Sequence, residues 1–63
     1  MHRTSEQLLE QYTNGKYDGT IYEYQSGYDA IIDSGSKAHD TLKKAQEYMK
    51  ENGYKLVHVY RVK

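Results

Sequence analysis

Cysteine, proline, tryptophan and phenylalanine are all missing from these 63 residues. Without cysteine there is neither a disulfide framework nor a thiolate metal site, two of the staples that small domains use when their cores are thin. No apolar run exceeds three residues, Ala30–Ile32, which excludes a membrane-spanning helix, and residues 1–5 lead into no apolar signal-peptide stretch. A soluble, cytoplasmic single domain over residues 1–63 is therefore the expectation. Leu, Ile and Val together number only ten, a scarcity that at high net charge would mean disorder. The net charge is zero, so a folded chain remains the expectation.

In place of the missing apolar residues stand eight tyrosines, the whole aromatic content. Tyr buries a large ring but keeps a hydroxyl that needs water or a partner. A core built from it is wet at its edges and marginally stable, and a partner that binds only the folded state would stabilise it. The zero net charge also hides an asymmetry: residues 1–36 carry −4 and residues 37–63 carry +4. Such a split bears on which partners each half can approach.

Local patterns predict the order α-β-β-α-β, an α+β fold. Thr4 or Ser5 can cap a short first helix over residues 5–13, with Leu8, Leu9 and Tyr12 on its apolar side and Asn14-Gly15 ending it. Residues 17–25 and 28–33, rich in Tyr, Ile and Thr, suit strands, with Ser26-Gly27 as the hairpin turn between them. A two-residue loop sets Tyr22 opposite Ile31, and a three-residue loop sets it opposite Ile32, so the inward-facing side chains stay undecided. Ser34-Gly35-Ser36 then offers capping hydroxyls to a main helix. Ala38, Thr41, Leu42, Ala45, Tyr48 and Met49 recur along it at spacings of three and four. Asn52-Gly53 closes that helix, with Tyr54 folding back on Met49. A last strand over residues 54–62 follows, with neither of its faces fully polar. A right-handed crossover lays this strand beside the first one, giving a three-stranded antiparallel sheet of order 2-1-3, covered by the main helix on one face. The other face is either covered by the short N-terminal helix or left open to bind something.

Sites for chemistry are sparse. His2, His39 and His58 have no metal-ligand spacing, and no metal or cofactor is expected. Asp33, Ser34, Ser36, His39 and Asp40 cluster as a triad might, but Ser and Asp are also what helix starts use to satisfy exposed amides. So short a chain lacks walls for a substrate pocket of several hundred Å3, and the expectation is a non-enzyme. The glycine turns at Asn14-Gly15-Lys16 and Ser34-Gly35-Ser36 lack the P-loop pattern.

Two surface constellations remain. The first is acidic and aromatic. Tyr17, Tyr22, Glu23, Tyr24, Tyr28 and Asp29 lie within a seventeen-residue stretch that holds no Lys or Arg. Tyr gives contact area at low entropic cost and is concentrated in binding surfaces, so this hairpin suits a basic protein surface, including a groove that otherwise holds nucleic acid. The second is basic. Lys43, Lys44, Lys55 and Arg61 could attract phosphate while open-sheet tyrosines stack bases. A third alternative is a structural homodimer joined through Val57 and Val59 or through an edge strand.

The run from Ser36-Lys37-Ala38 through Ala45-Gln46-Glu47-Tyr48-Met49-Lys50-Glu51-Asn52-Gly53-Tyr54 to Val62-Lys63 resembles the helix–Asn-Gly–strand ending of small phage-encoded accessory proteins, the anti-CRISPR-like inhibitors among them. The resemblance covers under half of the chain and is one of packing. It implies a non-catalytic inhibitor or modulator of a larger complex and carries over no functional residue.

Overall fold

Five of the six elements among the described residues are strands. The computed structural model describes residues 7–60. In chain order they form β1 (Gln7–Thr13), β2 (Asp18–Tyr24), β3 (Gly27–Ile32), β4 (Gly35–His39), α1 (Leu42–Glu51) and β5 (Lys55–Val59). The strands make one antiparallel sheet in the order β4-β3-β2-β1-β5. The first four are a meander of hairpins, and α1 carries the chain back across one face so that β5 pairs with β1.

This corrects the expected α-β-β-α-β order, the three-stranded sheet of order 2-1-3 and the second helix. Residues 7–13 are a strand although Leu, Glu and Gln favour helix, because β2 and β5 on either side fill both hydrogen-bonding edges of β1. The stretch around Ser34–Ser36 caps no helix: residues 35–39 pair with β3 from Ile32↔Gly35 to Tyr28↔His39. Helix α1 starts later, at Thr41, whose side chain accepts the Lys44 N–H at 3.2 Å. The β2–β3 turn falls on Gln25 and Ser26, with Gly27 already inside β3. That pairs Tyr22 with Asp29 and Ile21 with Ala30, so neither anticipated hairpin register forms.

The end of α1 matches its sequence signals. Gly53, at φ +82°, supplies the left-handed residue. Its N–H is donated to Lys50 O at 3.1 Å and that of Tyr54 to Met49 O at 2.9 Å, the paired bonds of a Schellman ending.

The core lies between α1 and the face formed by β1, β2 and β3, with α1 packed chiefly on β3. Tyr12, Ile21, Ala30, Ile32, Ala45, Met49 and Tyr54 are its buried apolar members. Gly19 lets this layer close: a Cβ there would stand 3.1 Å from Met49 Cε and 3.2 Å from Tyr54 Cδ2. Burying a side chain such as Ile21 or Met49 contributes about 1.5–3 kcal/mol, so a handful of such groups holds this fold.

Candidate protein-binding face

Because the side chains of a strand alternate, the register sorts every strand residue onto one of two faces. Glu10, Tyr12, Ile21, Tyr28, Ala30 and His39 take the face that holds α1. Gln11, Thr20, Tyr22, Tyr24, Asp29, Ile31 and His58 take the opposite one. Among the described residues no helix or strand lies over this second face.

Of the acidic, aromatic set, the fold brings Tyr22, Tyr24 and Asp29 together here. Tyr22 sits directly across from Asp29, and the Tyr24 hydroxyl is donated to Asp29 Oδ2 at 3.4 Å. The remaining three separate. Glu23 and Tyr28 pair with each other on the helix side, where Tyr28 packs against the core. Tyr17, 46% exposed, precedes β2, so it lies at the opposite end of that strand from Tyr24, about 20 Å away at the usual rise; its ring faces Lys16 Nζ at 5.5 Å.

The basic set does not converge. Lys43 and Lys44 are exposed in the first turn of α1 and Lys55 lies beyond its last turn, about 15 Å along at 1.5 Å per residue. Arg61 lies outside the described residues.

Two contributors to the open face were missed because β1 was read as a helix. The Tyr60 hydroxyl is donated to Gln11 Oε1 at 2.8 Å, and the His58 ring meets Tyr60 edge-on with centroids 4.4 Å apart. The even-numbered placement of His58 and Tyr60 in the last strand was the available signal.

At the hairpin end of this face is a cavity of about 320 Å3 lined by Tyr24, Ser26, Gly27, Asp29, His39 and Asp40, among others. Its backbone is closely fitted: a Cβ on Gly27, whose φ is +151°, would stand 2.6 Å from His39 O. The His39 ring lies 5.2 Å from Tyr48, tying β4 to α1, and its Nδ1 is buried without a hydrogen-bond partner among the described residues.

Beneath the helix, polar groups are satisfied in pairs. Glu10, only 6% exposed, accepts the Tyr12 hydroxyl on Oε1 at 2.5 Å and Gln46 Nε2 on Oε2 at 2.8 Å. A carboxylate removed from water needs such donors to be tolerated. Burial first, and then the hydrogen bond to and charge of Glu10, push the Tyr12 phenol well above its ordinary value. The Tyr54 phenol is raised as well, chiefly by its hydrogen bond to Asp33.

Both shifts favour the protonated form in the folded state. The stability they contribute is fully present below pH 10, where phenols in the unfolded chain keep their protons, and is lost as pH climbs through the folded values. Urea unfolding at a series of pH values is expected to show this decline setting in above about pH 10. Tyr54→Phe should make it shallower. An unchanged slope in that variant would show that Tyr54 ionises as freely in the fold as outside it.

The chain matches no family model, no curated protein and no solved structure. No helix among the described residues is long and apolar enough to cross a membrane, and no group of three His, Asp or Glu side chains there could hold a metal ion. Fold and site together define a small antiparallel-sheet domain with one helix among the described residues and a tyrosine-bearing sheet face that no other described element covers.

Proposed function

We propose that this chain is a non-catalytic protein-binding module, an inhibitor or modulator of a larger complex, that grips a basic protein surface with the open face around Tyr22, Tyr24 and Asp29. The observation that carries this reading is the placement of two tyrosines and a carboxylate side by side on a sheet face that no described element covers. Tyrosine rings supply contact area without much ordering cost, and the carboxylate gives the patch a sign. The resemblance of the helix–strand ending to small accessory inhibitors points the same way. Nucleic-acid binding through Lys43, Lys44 and Lys55 has less support, because Lys43 and Lys44 stand in the first turn of α1 while Lys55 opens β5 beyond the other end of that helix.

Capture of partners on immobilised chain tests the proposal. Tyr24→Ala combined with Asp29→Lys should weaken retention of the captured protein on the order of 10-fold or more, the scale of losing a hot spot, with an unchanged circular dichroism spectrum. Lys43→Glu combined with Lys44→Glu should leave retention as it is. Equal retention by the Tyr24/Asp29 variant would reject this face.

A further inference from the structure

We infer that the cavity at the hairpin end of the open face receives one arginine side chain of the protein partner. The inference rests on the protein-binding reading of that face and names the group the face recognises. The register explains why there is room for it. On the open face Tyr24 stands across from Gly27, and Asp29 across from Ala38. Two long side chains therefore neighbour one position with no side chain and one with a single methyl, and these four residues line a hollow of about 320 Å3. Asp40, two residues beyond Ala38, lines it as well. A phenol ring and two carboxylates thus border a space left by small residues.

Both carboxylates can take a further donor. A carboxylate offers about four acceptor sites. Asp29 commits one of them, on Oδ2, to the Tyr24 hydroxyl at 3.4 Å, longer than such bonds usually are. Asp40 meets Lys44 Nζ at 3.8 Å with its own side chain 87% exposed. An ion pair so open to water contributes little, so Asp40 can exchange it for a better-fitting cation.

Charge and shape together select the occupant. Two carboxylates beside an aromatic ring call for a cation that can also lie against that ring. A metal ion is poorly served, because no group of three His, Asp or Glu side chains among the described residues could hold one. Arginine fits better than lysine. Its planar guanidinium forks onto one carboxylate and still has N–H donors for a second acceptor. It also stacks on aromatic faces and gives up its water more readily than an ammonium does.

Nuclear magnetic resonance titration of the isotope-labelled full chain tests this, with acetylated and amidated Gly-Gly-X-Gly-Gly peptides as the probes. With arginine at X, the amide signals of Gly27, Asp29 and Ala38 should shift and saturate. Lysine at X should bind several-fold more weakly. Citrulline, the neutral isostere of arginine, should lose about 10-fold or more, the weight of a charge-assisted hydrogen bond. Asp29→Asn should weaken the arginine peptide by a similar factor. Ala38→Leu should abolish its binding by filling the hollow without touching a charge, and this exposed position on the edge strand β4 has room for the larger side chain. Both variants should keep the wild-type circular dichroism spectrum. No saturable shift with the arginine peptide would overturn the inference. Citrulline or lysine binding as tightly as arginine would do the same, as would an undiminished response in both variants. None of these titrations needs the captured protein. If Tyr24→Ala with Asp29→Lys lowers retention but the arginine peptide finds no site, the docking face stands and its arginine pocket falls. If the peptide binds as expected but retention is unchanged, the arginine site stands and the docking face falls.

Discussion

Gly27→Ala is expected to cost about 2–4 kcal/mol, a large part of the roughly 3–9 kcal/mol that a chain of this length commands. Two separate penalties meet at this position. The first is conformational: φ is +151°, and holding a residue with a Cβ in such a region costs about 1–3 kcal/mol. The second is steric: the new Cβ would stand 2.6 Å from the carbonyl oxygen of His39. That atom is backbone and cannot swing aside, so β4 must draw back from β3 and loosen the Tyr28↔His39 pairing. Gly15 supplies the control. Its φ is +94°, with nothing within 4 Å of an added Cβ, so Gly15→Ala isolates the conformational penalty. At several degrees of melting temperature per kcal/mol for a small domain, Gly27→Ala should melt about 10 °C or more below the wild type and clearly below Gly15→Ala. Equal melting points for the two variants would mean that β3 and β4 do not approach each other as described.

Met49→Ala is expected to be comparably severe, at about 2–5 kcal/mol. Its side chain is wholly buried. Met49 is also the residue whose carbonyl accepts Tyr54 N–H at the end of α1, and its Cε lies close over Gly19. Truncation removes the side chain from the contact between helix and sheet and leaves a void that β2 cannot fill, since Gly19 has no side chain to offer. Leu56→Ala, at a position 50% exposed, should cost well under half as much. Urea midpoints at an unchanged slope would measure both. If Met49→Ala lost no more than Leu56→Ala, the helix would not rest where the structure has it.

The legible parts of this fold were those fixed by neighbouring residues. The periodicity from Leu42 to Met49 and the Asn52-Gly53 ending are local signals, and α1 ends where they place it. Strands β2 and β3 were legible because Tyr, Ile and Thr suit a pleated surface. Strand β1 was not: Leu8, Leu9 and Tyr12 fall at helical spacing among helix-favouring Gln and Glu, and what makes the segment extended is pairing with β2 on one edge and with β5, far along the chain, on the other. Strand β4 failed for a related reason, since Ser34-Gly35-Ser36 reads as a helix cap until Ile32↔Gly35 pairing turns it into a hairpin. At the site, composition singled out the right stretch but could not sort it. Whether Tyr22 lies with Asp29 or with Ile31 depends on where the turn falls, and Gly27 sits inside β3 because its unusual φ fits there. The inward Glu10 was equally hidden, because its donors Tyr12 and Gln46 come from elements whose meeting no local pattern announces.

The position of β1 also sets an order of assembly. One of its neighbours, β2, lies just across a short turn, while the other, β5, arrives only after the meander and the helix have formed. Closing the longer loop carries the larger entropic penalty, so the hairpins of β1 to β4 form first and the last strand docks onto a sheet already built. The strand that docks last also lies outside the helix's main contacts, which are with β3, β4 and β2. Amide hydrogen exchange is therefore expected to be fastest at β5, the domain opening from that side while the rest of the sheet stays paired.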